Sequence, residues 1–144
     1  MNTIKQAENI LREENVKPTS IRLEVLSYLL GTNKHPSVDD IYMDLKEHIP
    51  TLSKASIYNS LHLLVEEQIV QKITIEDEKT RYDADRSTHS HFFCKGCGQV
   101  MDIEGIDNKD FYTPLLEGFK VDQIQIYYAG YCPACNQKEE KTDE

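Results

Sequence analysis

The chain has no apolar stretch long enough to cross a bilayer. Its longest runs, such as Leu61 to Val65 interrupted by His62, fall far below the ~20 residues a membrane helix needs. The opening MNTIKQAENILREEN is polar and helix-like, so no secretory signal is expected and the expected setting is the cytoplasm, without a membrane partner. Positive charge is also short, with 16 Lys+Arg against 25 Asp+Glu and a net charge of -9. That balance argues against non-specific nucleic-acid binding by the whole surface, because phosphate contacts need local positive charge. The shortage is uneven: residues 1–72 carry 8 basic against 10 acidic residues, and residues 73–144 carry 8 against 15. A confined basic surface on the N-terminal half therefore stays open. Cysteine is scarce, and none of the four stands outside a Cys-x-x-Cys pair. No repeat exists beyond those two pairs, and no segment is of low complexity.

What is present reads as two modules. Residues 3–15 place Ile4, Ala7, Ile10 and Leu11 on one helical face. A second helix follows Pro18, with Ile21, Val25, Leu26, Leu29 and Leu30 inward and Gly31 as its stop. Ser37, with Asp40 three residues on, caps a third helix striped by Val38, Ile41, Tyr42 and Leu45 and ended by Pro50. Ser53 caps a fourth, SKASIYNSLHLLVEEQ, whose Ile57, Leu61, Leu64 and Val65 face one way and leave Lys54, Ala55, Tyr58 and Asn59 near the other. Two consecutive helices joined by a short turn make a helix-turn-helix. After residue 69 the period falls to two: QKITI, with Ile73 and Ile75, and RYDAD flank a charged loop, so residues 70–84 read as a β-hairpin, the wing of a winged helix-turn-helix.

The second module, residues 85–144, reads as strands near 90–94 and 99–104, a helix at 107–117, a strand at 119–128 and a frayed polar tail KEEKTDE. The expected fold is α+β, a DNA-binding winged helix over residues 1–84 followed by a small α/β domain. Modules this small need help from a metal or a partner chain.

Cys94-Lys-Gly-Cys97 and Cys132-Pro-Ala-Cys135 form two knuckles that suit one tetrahedral Zn²⁺, with Gly98 helping the backbone turn back. Two disulfides are disfavoured by the expected cytoplasmic setting, and two redox dithiols by their redundancy. A structural zinc supplies on the order of 10 kcal/mol of folding free energy, so the C-terminal module should depend on it.

His89 and His91 stand two apart on a predicted strand, where side chains share a face with Cα atoms about 6 to 7 Å apart. Cys94 has the opposite parity, which favours two sites, one per face. Asp102 and Asp83 alternate with apolar neighbours on their own strands. By spacing alone His35, just before Pro36, reads as an ordinary exposed histidine, as do His48 and His62.

The segments KPTSIRLEVL, HPSVDDIY, SKASIYNSL, RYD, HSHFFCKGCGQVMD and YCPAC, each in order and on the expected element, resemble the ferric-uptake-regulator (Fur) family of metal-dependent repressors along nearly the whole chain. The resemblance implies a homodimer with a C-terminal dimerisation domain, acting on an inverted-repeat operator in double-stranded DNA. It assigns Cys94, Cys97, Cys132 and Cys135 to structural zinc, and His35, Asp83, His89, His91 and Asp102 to a regulatory Fe²⁺ or Mn²⁺. Three features look like the peroxide-sensing PerR branch: His89-Ser90-His91 in place of a fuller histidine cluster, Asp102 where iron-uptake relatives commonly have Glu, and Asn59 where they commonly have Arg. Three histidines and two short carboxylates leave one metal position open, which suits Fe²⁺ or Mn²⁺. In that branch peroxide attacks the open position on Fe²⁺ and a ligand histidine, here His35 or His89, gains oxygen and releases the metal.

On the predicted recognition helix Tyr58 can press on thymine methyls and Asn59 can reach a base edge, with Ser56 beside them, while Lys54, Lys17 and Arg22 can meet phosphates. The family's usual Thr-Pro-Gln-Arg stands here as Thr19-Ser20-Ile21-Arg22, which leaves that helix start less rigid. The alternative within the class is an iron-, manganese- or zinc-responsive repressor of metal uptake without peroxide chemistry. A non-haem iron oxygenase would leave the helix-turn-helix unexplained and lacks a substrate-pocket signature. A purely structural zinc adaptor would leave five ligands idle, so no enzyme is expected.

Overall fold

Four amphipathic helices come first, each started by a side chain that satisfies the open amides of its first turn. In the computed structural model, which describes residues 2–74, 79–85, 90–105, 108–121 and 124–142, they are α1 (Thr3–Glu13), α2 (Ser20–Leu30), α3 (Val38–Leu45) and α4 (Lys54–Glu66). Asn2 and Thr19 cap α1 and α2, and full capping boxes start α3 (Ser37 with Asp40) and α4 (Ser53 with Ser56). α1 stops two residues short of the expected end because Asn15 turns left-handed at φ +59, letting the Val16 amide donate to the Leu11 carbonyl at 2.8 Å. Gln68, φ +60, does the same after α4, returning the Ile69 amide to the Leu64 carbonyl. One apolar core joins these helices: Leu11, Val25, Leu26, Ile41, Ile57, Leu61 and Leu64 are all fully buried in it.

The wing is a short antiparallel pair, β1 (Gln71–Ile73) and β2 (Arg81–Asp83), in the register Gln71 with Asp83 and Ile73 with Arg81. Ile75 lies outside the described residues. The other edge of β2 reaches back to the segment before α3, where the Tyr82 amide donates to the Pro36 carbonyl at 3.0 Å. These elements form one compact unit, Met1–Arg86, and the rest of the chain, Ser87–Glu144, forms the second.

In the second unit β3 (Ser90–Cys94) lies between β4 (Val100–Ile103), antiparallel to it, and β5 (Tyr127–Gly130), parallel to it. Three expectations fail here. Residues 107–117 are not an α-helix; the described part makes two 3-10 turns, Asn108–Phe111 and Pro114–Leu116. Pro114, inside the expected helix, lacks an amide hydrogen and clashes with the preceding turn, so a continuous helix cannot pass it. Among the described residues the strand expected at 119–128 is confined to β5. Its pairing with β3 begins where the Ile126 carbonyl accepts from the His91 amide. The tail does not fray at residue 138, since α5 runs Pro133–Thr142. Pro133 suits a first helical position, the Asn136 amide is pinned to the Cys132 carbonyl at 2.7 Å, and Gln, Lys and Glu are good helix formers.

Among the described residues no helix is long and apolar enough to cross a membrane. The core of the first unit should respond to truncation as close-packed cores do. Leu61→Ala is expected to lower stability in urea unfolding by about 2–5 kcal/mol, and Tyr58→Ala, on the exposed side of the same helix, by less than about 0.5 kcal/mol.

Candidate metal centres and nucleic-acid face

Three consecutive residues of β2 hold the segment that carries His35. The Arg81 guanidinium donates to the His35 carbonyl at 3.1 Å, the Tyr82 amide donates to the Pro36 carbonyl, and an Asp83 carboxylate oxygen faces His35 Nε2 at 3.4 Å. The other Asp83 oxygen accepts from the Asp85 amide at 2.9 Å, which fixes the carboxylate. His35 adopts φ +54, a left-handed conformation that a non-glycine residue keeps only where its surroundings impose it. Far from being an exposed histidine, it is 3% exposed, because the wing strand closes over it.

The second unit holds a similar pair. His91 on β3 lies directly opposite Asp102 on β4, with Nε2 3.3 Å from the carboxylate, and Tyr127 of β5 flanks the ring on the other side, its centroid 6.2 Å away. Each pair offers one imidazole nitrogen and one carboxylate oxygen. Cis ligands about 2.1 Å from a metal stand about 3 Å apart, so the spacing in both pairs fits a divalent metal ion. His89 lies outside the described residues.

Three residues after His91, on the opposite face of β3, Cys94 begins the sulfur cluster. Cys94, Cys97, Cys132 and Cys135 bring their Sγ atoms within 4.8 Å of one another. Tetrahedral zinc with Zn–S of 2.3 Å sets its sulfurs about 3.8 Å apart, so one ion fits the four with little adjustment. The amides of Cys97 and Cys132 donate to the Cys94 sulfur at 3.4 and 3.3 Å. Led by the Cys132 amide, they pull its thiol down to about 6, whereas Cys135 is pushed up to about 12 because its side chain hydrogen-bonds Cys94 and Cys132. The knuckle turns as expected on Gly98, at φ +75, whose amide returns to the Cys94 carbonyl at 2.8 Å.

The proposed nucleic-acid residues are placed more variously. Tyr58 and Asn59 are exposed on α4, the Tyr58 ring stacked on His62 at 6.2 Å. Lys54 opens that helix but is paired with Asp39 at 3.1 Å. Ser56 is committed to the cap, its hydroxyl donating to the Ser53 carbonyl and accepting from the Ser53 amide. Arg22 donates to the Lys17 carbonyl at 2.9 Å, and Lys17 itself is exposed.

Two positions have roles that sequence reasoning missed. Arg81 reaches a carbonyl 46 residues earlier, and only its place beside Asp83 hinted at the site. Gly96 lies so close to the last knuckle that an added Cβ would stand 2.9 Å from both Cβ and Sγ of Cys135. Gly96→Ala should therefore spread the sulfur cluster. Zinc content per chain is expected to fall and the thiols to become reactive in a thiol-disulfide assay, whereas Gly31→Ala, where an added Cβ meets only ordinary contacts at 3.6 and 3.7 Å, should leave both unchanged.

The model of the ferric uptake regulator family matches residues 13–129. A peroxide operon regulator of Bacillus subtilis is 34% identical over 138 residues, 94% of this chain and 95% of its own length. Among solved structures, the peroxide-sensing PerR of Streptococcus pyogenes is 33% identical with a TM-score of 0.52, covering 94% of each chain. A zinc uptake regulator complexed with zinc and DNA is 26% identical with a TM-score of 0.70, covering 97% of this chain and 99% of that one. With its family model spanning most of the sequence, the chain belongs to the ferric uptake regulator family.

Proposed function

We propose that this protein is a metal-dependent transcriptional repressor that senses hydrogen peroxide and controls oxidative-stress genes, and that it is not an enzyme. The observation that carries the reading is the pair of like histidine–aspartate couples, His35 with Asp83 and His91 with Asp102, one in each unit. Two ligands apiece are too few for a six-coordinate ion, so the reading has both couples, together with His89, share one regulatory Fe²⁺ or Mn²⁺. Metal would then tie the winged helix to the second unit and fix the spacing of two recognition helices in a dimer. A second copy of the chain is the proposed cover for the apolar side chains that the second unit exposes, Tyr112, Leu115 and Phe119 foremost, at 68%, 85% and 70%. The four cysteines hold the structural Zn²⁺ in this account.

Within the regulatory site the chain's own groups have distinct tasks. Asp83 and Asp102 keep the facing imidazole nitrogens directed inward and lend negative charge that favours a divalent cation. Asp102, with a shorter arm than a glutamate, would hold the ion through one oxygen and leave room for peroxide to reach it. Bound Fe²⁺ supplies the one-electron chemistry that hydrogen peroxide needs, and Mn²⁺ does so poorly. The residue oxidised is His35 or His89: one peroxide oxygen enters the ring in place of a C–H hydrogen and the other leaves as water. A ring so altered binds metal weakly and the repressor lets go.

The DNA-binding part of the reading draws on α4, with Tyr58 and Asn59 on its exposed face and Lys54 at its start, and on the similarity to a regulator complexed with DNA. That neighbour, a zinc uptake regulator complexed with zinc, also favours the second reading, an iron-, manganese- or zinc-responsive repressor of metal uptake without peroxide sensing.

One titration separates these readings. Inverted-repeat DNA should bind tightly only with Fe²⁺ or Mn²⁺ present, and by linkage DNA should tighten metal binding by the same factor. Peroxide should abolish binding by the Fe²⁺ form, spare the Mn²⁺ form, and add roughly 16 Da to a peptide holding His35 or His89. Equal DNA affinity with and without Mn²⁺ contradicts the repressor reading, and an unaltered mass after peroxide leaves the metal-uptake reading.

A further inference from the structure

Two lysines beside the cleft between α3, α4 and the wing are each held by an aspartate at the start of α3. Lys54 Nζ stands 3.1 Å from Asp39 Oδ1, and Lys79 Nζ 3.8 Å from Asp40 Oδ2. The cleft has a volume of about 770 Å³, and Tyr58, Lys72 and Lys79 line it along with both aspartates. Asp40 has a structural task, since its carboxylate accepts from the Ser37 amide at 3.0 Å and closes the capping box of α3. Asp39 takes no part in that box.

Stability does not account for the Asp39–Lys54 pair. Its side chains are 74% and 58% exposed, and ion pairs so exposed contribute little to folding. Lys54 is also the first residue of α4, at the positive end of the helix dipole, where a cation is unfavourable. That location suits an anion, because a helix start and a lysine together make a phosphate site. In the free protein a carboxylate stands there instead, with the ammonium also 5.6 Å from the centre of the Tyr42 ring.

We propose that Asp39 is an internal competitor of the DNA backbone, occupying Lys54 until a phosphate displaces it and so holding DNA affinity down. The inference rests on the reading of α4 as the DNA-contacting helix. Phosphate carries no sequence information, so Asp39 sets the level of binding without altering sequence preference. Once displaced, its carboxylate is left beside a polyanion and draws back a cation, so fewer counterions are released overall. The salt dependence of binding is shallower as a result.

Because the effect is independent of sequence, a random-sequence duplex suffices as probe. Fluorescence anisotropy of the Mn²⁺-loaded full chain would compare the unaltered protein with Asp39→Asn, Lys54→Gln, the double variant and Tyr58→Ala across a salt series, after circular dichroism shows each folded. Asp39→Asn should tighten binding roughly 1.5-fold to fivefold at low salt, as expected for releasing one exposed ion pair, with a slope steeper by about one counterion. Lys54→Gln should weaken binding, and in that background Asp39→Asn should give a clearly smaller gain. No tightening by Asp39→Asn, or the same gain without Lys54, overturns the proposal. If Lys54→Gln and Tyr58→Ala both bind as the unaltered chain does, the reading of α4 fails instead, and the proposal with it.

Discussion

A β-strand shows successive side chains to opposite faces, and the second unit depends on how β3 uses that alternation. His91 and Cys94, three positions apart, face opposite ways. One meets Asp102 across the β3–β4 ladder, and the other closes the sulfur cluster. A one-residue slip in register would exchange the two faces and destroy both arrangements together. Among the described residues of this unit few large apolar side chains are buried, Val100 among them, so they would oppose such a slip only weakly. The backbone around Cys94 gives the strand its fixed point: the Cys94 amide is tied to the Gln99 carbonyl, and the Lys95 amide to the Gly130 carbonyl of the neighbouring strand.

The first unit solves a similar problem without sulfur. Its helices share a continuous apolar core, so their stability is that of an ordinary small helical domain. The segment 35–36 lies at the edge of that core and would be loose without the wing. Arg81, Tyr82 and Asp83 grip it by a side chain, a backbone amide and a carboxylate in succession. The hairpin thus has two tasks, since Lys79 on the same hairpin reaches the start of α3. In the proposed function this joins the state of His35 to the part of the protein nearest DNA. Loss of a metal ligand would be felt through a backbone that is already held in a strained conformation.

Much of this was legible in the sequence, and the limits have physical causes. α1 to α4 could be read because an apolar period of 3.6 coincided with capping residues such as Ser37 and Ser53, two independent signals that agree. The sulfur cluster was legible because Cys-x-x-Cys spacing is set by coordination geometry. The facing of His91 and Asp102 followed from strand parity. Between residues 107 and 128 a continuous helix and a long strand were inferred from composition, although Pro114 forbids the first and, among the described residues, only Tyr127–Gly130 pairs with β3. The helical tail was missed because its start is set by the knuckle before it, where Pro133 and the Asn136 amide fix the first turn that its polar helix formers then continue. Contacts such as Arg81 to His35 and Lys54 to Asp39 join elements distant in sequence, and no local pattern announces them.

The central claim is that the two histidine–aspartate couples serve one regulatory ion. Mn²⁺ titration calorimetry on the zinc-loaded chain, beside Asp83→Asn and Asp102→Asn, tests it most directly. The account predicts one Mn²⁺ per chain, with binding weakened roughly tenfold or more by either substitution alone, as the loss of one ligand from a shared site requires. Two Mn²⁺ per chain, each abolished by only one of the two substitutions, would contradict it.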